Sequence, residues 1–359
     1  MEAPNDHPTI DPETTPSTPS VQRAAVSQGV AHVDLPGTYE TESYAFVLLP
    51  KMSLNAFSAA LEPLRIANQL TGKELFRWVL VSEDGQAIAC SSGVEISVAG
   101  DFSLVQSTDK ILVCSGVNPI LHTSDKVANW MRFQWRKGQT VGGICTGAYA
   151  LAKAGILQNS EFTLHWENLA PFSETFDQLE PSECTFVFDN RVWTCAGGIA
   201  ATDMMIARID KLFGSKLAVA VAQMCLVNVP RSSNDPQKSS TAATFGIRDK
   251  KLLKAVNFIQ DNFEEDLKLD ELAAMCNVSR RQMERLFKRH LDLSPRSFLV
   301  DVRLQQARTM LAGTDLSIIE VATACGFGST SYFSKRFRMK FGASPYRFRL
   351  SSEANGKLA

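Results

Sequence analysis

Residues 269–298 read LDELAAMCNVSRRQMERLFKRHLDLSPRSF, and residues 317–348 read SIIEVATACGFGSTSYFSKRFRMKFGASPYRF. The second stretch repeats the pattern of the first, with Cys276 matching Cys325 at an offset of 49 residues. Beyond this pair the offset grows to 50, a one-residue slip that a turn can absorb. The repeat predicts two copies of one unit, each made of a helix, a short turn and a second helix.

Serine residues mark the predicted helix starts in both copies. Ser279 is followed three residues later by Gln282, and Ser317 is followed by Glu320, which is the spacing of a capping box. Each copy ends in Ser-Pro, a sequence typical of an N-cap followed by proline in the first helical position. The caps therefore predict the same helix boundaries in both copies.

The second helix of each copy is predicted to bury an apolar stripe and to expose a polar face. Met283 and Phe287 point inward in the first copy, and Phe333 and Phe337 do so in the second. The outward-facing side chains selected as DNA contacts are Arg280, Arg281, Glu284, Arg285, Lys288, Thr330, Ser331, Ser334 and Lys335. Two such helices about 34 Å apart would meet successive major-groove turns on one side of a duplex. The alternative, a solvated basic helix, is disfavoured because two capped copies occur together.

The segment Leu252–Leu350 resembles the AraC/XylS family of regulators, most specifically over Ile318–Phe348. The resemblance implies sequence-specific binding to double-stranded promoter DNA and, in most members, activation through RNA polymerase. Base contacts are implied for Arg281, Glu284, Arg285, Thr330, Ser331 and Lys335.

The charge of the chain is divided unevenly. Its 359 residues carry a net charge of −1, but residues 248–350 hold 19 basic and 12 acidic side chains. The C-terminal module is therefore net +7 and the rest net −8, which predicts that one end meets a polyanion. Eight cysteines without a C-x-x-C pair indicate reduced thiols in a cytoplasmic protein. No membrane span, secretory signal, metal site or cofactor is expected.

Before the repeat, short apolar runs alternate with helical patterns, as in residues 45–49, 78–81, 111–114 and 140–144. This alternation predicts a mostly parallel sheet covered by helices, with its site beyond the C-terminal strand ends. Residues 212–227 form a strongly apolar helical stretch, expected in the core or across a dimer seam, with core packing favoured. The predicted boundaries are a disordered tail at 1–42, an α/β domain at 43–229, a linker at 230–247, an all-α domain at 248–350 and a tail at 351–359.

Residues 143–147 read GICTG and have the form of a nucleophile elbow with Cys145 in the reactive position. The helix N-terminus after the turn is expected to lower the pKa of this thiol. His165, placed at the end of an apolar strand, would give the Cys–His pair of thiol catalysis. The alternatives are a buried small side chain for Cys145 and a structural role for His165.

Residues 44–227 resemble the DJ-1/PfpI branch of the class I glutamine amidotransferase-like superfamily, which implies a flavodoxin-like α/β fold. The resemblance implies an acid near the cysteine at Glu62 and a histidine at His165. Hydrolytic members often carry histidine directly after the cysteine, where this chain has Thr146. Enzymatic turnover is therefore not expected, and Cys145, His165 and Glu62 are interpreted as remnants of a catalytic site.

The pairing of the two domains resembles the GlxA-like regulators, and residues 57–69 and 196–203 are typical of that group. The resemblance implies a small nitrogenous effector, such as arginine, carnitine or glycine betaine, bound in the first domain. The chain is expected to form a homodimer. The effector residues selected are Glu62, Cys145, Thr146, His165 and Trp166, where an aromatic ring and an acid would suit a quaternary amine. Two alternatives stay open: a thiol-dependent amidase or glyoxalase-like enzyme fused to a DNA-binding domain, and a constitutive DNA-binding protein whose first domain only dimerises.

Overall fold

A computed structural model describes residues 29–237 and 249–350. Within the first range lies a six-stranded sheet of order β2-β1-β5-β6-β8-β7, with a separate two-stranded ribbon of β3 and β4. The strands are β1 (Glu42–Leu48), β2 (Phe76–Val81), β3 (Ile88–Ala89), β4 (Glu95–Ile96), β5 (Lys110–Cys114), β6 (Val141–Ile144), β7 (Phe186–Asp189) and β8 (Val192–Cys195). Neighbouring strands of the sheet run parallel except β7, which is antiparallel to β8. The predicted mostly parallel, flavodoxin-like sheet is confirmed.

Helices cover both faces of this sheet. They are α1 (Leu54–Thr71), α2 (Pro119–His122), α3 (Asp125–Arg136), α4 (Ala148–Lys153), α5 (Leu169–Thr175), α6 (Ile199–Phe213) and α7 (Ser215–Met224). Along β1, Phe46 and Leu48 pack into the core under α1, α6 and α7, whereas Ala45 and Val47 pack into the core under α3 and α4. Because both faces are buried, the strand reads as a continuous apolar run instead of an alternating one.

Two local predictions in this domain are wrong. The apolar stretch 212–227 is not one helix, because Gly214 adopts φ +82° and separates α6 from α7. Leu217 and Val221 of α7 nevertheless pack in the core. His165 does not end a strand: nearby Thr163 forms only an isolated bridge, and His165 precedes a short 3-10 turn at Trp166–Asn168.

The structure also departs from two predicted boundaries. The expected disordered tail reaches residue 42, but Val33 is buried and its N–H donates to the Leu70 carbonyl. Residues 1–28 lie outside the described residues, as do 238–248 and 351–359. The expected linker begins at residue 230, yet residues 231–237 are hydrogen-bonded along the α/β domain, with Pro236 in a bridge to Cys184.

The C-terminal domain contains the two predicted helix-turn-helix units. Its helices are α8 (Lys250–Asp261), α9 (Leu269–Met275), α10 (Arg280–Leu291), α11 (Pro295–Gly313), α12 (Ile318–Ala324) and α13 (Thr330–Phe341). Both capping boxes are confirmed, at Ser279 with Gln282 and at Ser317 with Glu320. Each unit has its own hydrophobic core, and α11 connects the two.

Among the described residues, no helix has the length and apolar character that crossing a membrane would require.

The one-residue slip between the copies lies in the second turn. Asn277 has φ +52° and Gly326 has φ +72°, so the same left-handed position closes both leading helices. Val278 and Phe327 follow in matching places, and the inserted residue is therefore Gly328. A Cβ on Gly326 would lie 2.4 Å from the Glu264 carbonyl oxygen, which explains why glycine replaces asparagine at that position.

Candidate ligand cavity and nucleic-acid interface

Cys145 occupies the sharp turn between β6 and α4. Its φ is +62°, a left-handed conformation that is uncommon for a residue with a side chain. The turn requires glycine on either side of the site: a Cβ on Gly147 would lie 2.3 Å from the Val113 carbonyl oxygen, and one on Gly197 would lie 2.6 Å from Cβ of Cys145. The predicted elbow is thus present.

The thiol of Cys145 differs from the prediction. It is 8% exposed, and burial, together with the neighbouring Cys195, raises its pKa from 9.0 to about 12. A backbone hydrogen bond at Thr146 lowers the pKa, but desolvation of the thiolate is the larger effect. The expectation of a lowered pKa is therefore wrong, and the thiol is protonated at neutral pH.

Alkylation of Cys145 by iodoacetamide is expected to be at least about 100-fold slower than that of a free cysteine at pH 8. A pKa of about 12 instead of 9.0 lowers the thiolate fraction about 1000-fold, and the thiolate is the nucleophile. The rate should rise about tenfold per pH unit without a plateau below pH 11. Peptide mass spectrometry measures it, with the urea-unfolded chain as the control. Rapid labelling of the native chain at pH 7 would contradict the assignment.

A cavity of about 330 Å³ lies beside this elbow, beyond the C-terminal ends of β6 and β8. Its lining residues are His165, Trp166, Ala196, Gly197, Ile199, Ala200, Arg231 and Gln237. The elbow adjoins the cavity through Gly197, which packs on Cys145, and through the His165 N–H, which donates to the Cys145 carbonyl at 3.2 Å. The position of the cavity agrees with the prediction for a parallel sheet.

The five selected effector residues are only partly brought together. His165 and Trp166 line the cavity, with their rings 5.4 Å apart. Cys145 is not a lining residue but packs against Gly197, which is one. Thr146 is buried, and its hydroxyl donates to the Gly116 carbonyl at 2.7 Å. Glu62 is not a lining residue, and its carboxylate pairs with Arg65 one turn along α1 at 2.8 Å. The acid whose negative charge raises the pKa of the Cys145 thiol is Glu167.

Two cavity residues, Arg231 and Gln237, come from the segment that the sequence suggested was linker. The Gln237 amide N–H groups donate to Thr163 Oγ1 and to the Leu164 carbonyl, both at 2.9 Å. Its Oε1 accepts the Trp166 N–H at 2.8 Å. The segment therefore forms one wall of the cavity and is fixed there by side-chain hydrogen bonds. Nothing in its polar, turn-rich composition indicated this role.

Arg231 is anchored by an acid on α6. Its Nε lies 2.8 Å from Oδ2 of Asp203, and its backbone N–H donates to Oδ1 at 3.1 Å. The Asp203 side chain is 1% exposed, whereas that of Arg231 is 37% exposed.

Throughout residues 29–237 and 249–350, no cluster of three or more His, Cys, Asp or Glu side chains could hold a metal ion.

The second helices of the two repeats carry the candidate nucleic-acid interface. All five residues selected on α10 are exposed. Arg280 pairs with Glu284 at 3.4 Å, and Lys288 pairs with Asp292 at 2.5 Å. In the described parts of the chain, no acidic side chain pairs with Arg281 or Arg285. Among the five selected residues, these two guanidinium groups, one turn apart, are the cationic side chains without an acidic partner in the described chain.

On α13 the selected residues divide by exposure. Ser331 and Lys335 are exposed, and Thr330 and Ser334 are half-buried. Tyr332 was missed by the sequence analysis: its side chain is 48% exposed, and its ring lies 6.3 Å from that of Phe327. An exposed aromatic residue at the start of this helix was hidden within an aromatic-rich stretch that otherwise packs inward.

Comparisons with known proteins agree with both halves of the chain. A model of the DJ-1/PfpI family matches residues 58–211, and a model of a helix-turn-helix domain matches residues 272–351. The HTH-type transcriptional regulator GbdR of Pseudomonas aeruginosa is 38% identical over 310 residues, covering 86% of this chain and 84% of that protein. CdhR of the same species is 37% identical over 305 residues, covering 85% and 90%. GlxA of Rhizobium meliloti is 34% identical over 308 residues, covering 86% and 95%.

An α/β domain joined to a duplicated helix-turn-helix unit defines the class of this protein, a DNA-binding transcription regulator. The relatives share more than 30% identity over most of both chains. The chain belongs to the family of HTH-type transcriptional regulators that join a DJ-1/PfpI domain to an AraC-type helix-turn-helix domain.

Proposed function

We propose that this regulator binds promoter DNA through α10 and α13 and activates RNA polymerase there in response to a small nitrogenous metabolite. The metabolite, of the class of glycine betaine, carnitine or arginine, occupies the cavity lined by His165, Trp166 and Arg231, and the regulator acts as a homodimer. DNA contacts come from the residues selected on the two helices, chiefly Arg281 and Arg285 with Ser331 and Lys335.

The observation that carries this proposal is the composition of the cavity wall. Arg231 and Gln237 line the cavity and lie just before the segment that leads to α8, the first helix of the DNA-binding domain. A ligand in contact with this wall would bind differently when residues 231–237 are hydrogen-bonded to the α/β domain and when they are detached from it. Binding can then shift the population of domain arrangements, which is the physical requirement for control by an effector.

A second contact supports coupling between the domains. The 3-10 turn that begins at Trp166 runs directly into α5, which lies against α11. The contact is close: a Cβ added to Gly313 of α11 would lie 3.0 Å from the Pro171 side chain. A shift of Trp166 on ligand binding would therefore move α5 and change its contact with α11, the helix that joins the two helix-turn-helix units.

The thiol-enzyme alternative is disfavoured by the chemistry at the elbow. A buried thiol with a pKa of about 12 is protonated at neutral pH and is a poor nucleophile. Nδ1 of His165 accepts the Glu167 backbone N–H at 3.4 Å, an interaction that belongs to the local turn. Thr146, where hydrolytic relatives often have histidine, is committed to the Gly116 carbonyl.

Addition of the effector is expected to change operator affinity of the full chain by about 5- to 150-fold, the usual range of allosteric coupling. The measurement is fluorescence anisotropy on a duplex that the chain selects from a random pool, titrated with and without glycine betaine, carnitine or arginine. Operator affinity that is identical with and without every candidate would support the constitutive alternative and contradict the proposal.

The Cys145→Ala variant separates a sensor from an enzyme in the same assay. Effector-dependent operator binding should survive this substitution, because the proposal requires no chemistry at the thiol. A matched control is Cys225→Ala, which removes a half-buried thiol at the end of α7, outside the cavity lining. If the effector response disappeared in Cys145→Ala alone, while the variant remained folded, turnover would become the better explanation.

A further inference from the structure

We propose that Arg231 is the carboxylate receptor of the cavity and binds the carboxylate that glycine betaine, carnitine and arginine have in common. The inference rests on the proposed function and names the ligand chemistry of that same site. It begins with the hydrogen-bonding inventory of one side chain.

The guanidinium of Arg231 is anchored by Asp203, but not all of its N–H donors have a hydrogen-bond acceptor. Nε is bound to Asp203, and a guanidinium carries five N–H donors in a planar fork. No residue in the described parts of the chain accepts a hydrogen bond from Nη1 or Nη2 of Arg231. Asp203 is buried on α6 and fixes the base of the fork, which leaves the Nη groups available to a ligand in the cavity.

The other polar side chain contributed by this segment is already committed. Gln237 uses its amide N–H groups on Thr163 and on two backbone carbonyls, and its Oε1 on the Trp166 N–H. Of the two polar side chains that this segment contributes, Arg231 is therefore the one with unused donors, and their fork geometry matches a carboxylate bidentately. Among the described lining residues there is no Asp or Glu that would receive a cationic group directly.

The charge balance favours a zwitterion over a simple anion. The buried Asp203 carboxylate already offsets the positive charge of Arg231, so a simple anion would add uncompensated negative charge to the site. A ligand that carries its own ammonium group avoids this cost. Trp166 lines the same cavity, and an indole ring attracts an ammonium group by a cation–π interaction.

The decisive test uses ligand pairs that share the ammonium group and differ in the carboxylate. Isothermal titration of the full chain compares glycine betaine with choline, carnitine with carnitine methyl ester, and arginine with agmatine. In at least one pair, the carboxylate member is expected to bind about 10- to 100-fold more tightly, as befits hydrogen bonds to a charged group. No variant is needed for this comparison.

Arg231→Lys then tests the residue itself, because lysine keeps the charge opposite Asp203 but loses the fork. The preferred acid should bind about tenfold more weakly, and the preference over its carboxylate-free partner should shrink, with thermal unfolding unchanged within 3 °C. The matched control is Arg65→Lys, which alters a similarly exposed arginine, paired with Glu62 outside the cavity. That variant should bind like the wild type.

The outcomes separate this inference from the proposed function. If the full chain binds an amine and its carboxylate partner equally well, the effector site stands and the role of Arg231 is overturned. Undiminished affinity in a folded Arg231→Lys variant overturns it as well. If none of the six compounds binds, the effector class of the proposed function fails, and this inference fails with it.

Discussion

Replacing Arg281 and Arg285 together with alanine is expected to lower operator affinity by about 2–6 kcal/mol, since each bidentate arginine–guanine contact contributes about 1–3 kcal/mol. Both side chains are exposed on α10, one turn apart, and no acidic residue in the described chain pairs with either. Anisotropy titration on the selected duplex measures the loss, which corresponds to at least about 30-fold in dissociation constant.

The control for this prediction is Arg280→Ala on the same helix. Arg280 already lies 3.4 Å from Glu284 and 3.8 Å from Asp270, so its loss should cost less than about 1 kcal/mol of binding free energy. Binding to unrelated duplex should weaken less than operator binding in the double variant, because base contacts carry specificity. Equal losses on both duplexes would assign the two arginines to the phosphate backbone, and unchanged operator affinity would reject α10 as a reading helix.

The helix-turn-helix units could be predicted because their determinants are local. The hydroxyl of Ser279 and the amide of Gln282 meet within one helical turn, so their spacing in the sequence is already their geometry. The burial of Met283 and Phe287 follows from helical periodicity in the same way. What the sequence did not show was which exposed charges are free, since the pairing of Arg280 with Asp270 joins two helices.

The cavity was less accessible to prediction because it is assembled from distant parts of the chain. Arg231 and Asp203 are 28 residues apart, and Gln237 reaches back 74 residues to Thr163. Neither pairing has a periodic signature. The pKa of Cys145 was mispredicted for a related reason. The local helix N-terminus was visible in the sequence, but the burial that raises the pKa, and the nearby Cys195 that raises it further, are products of tertiary packing.

Arg303→Ala is expected to destabilise the DNA-binding domain by about 2–4 kcal/mol, because hydrogen bonds from a charged donor to more than one backbone carbonyl are lost. Arg303 lies on α11 and is 8% exposed. Its Nε donates to the Phe263 carbonyl at 2.6 Å, and its Nη2 donates to the Glu265 carbonyl at 2.8 Å. Its guanidinium also lies 5.9 Å from the ring centre of Phe327. One side chain thus joins the loop before α9 to the turn of the second unit.

Denaturant unfolding of the full chain measures this loss, and operator titration below the unfolding transition measures its consequence. Removing Arg303 takes the charged donor away from these carbonyl groups and frees the two units to move. The spacing of α10 and α13 is then no longer fixed, and operator affinity should fall with stability. The control is Arg308→Ala, an exposed arginine on the same helix whose guanidinium lies 5.4 Å from the ring centre of Phe341 and should contribute less than about 1 kcal/mol. Equal stability of the two variants would show that α11 alone holds the units together. A fall in stability without a fall in operator affinity would show that DNA itself restores the spacing, which would transfer the positioning role from Arg303 to the duplex.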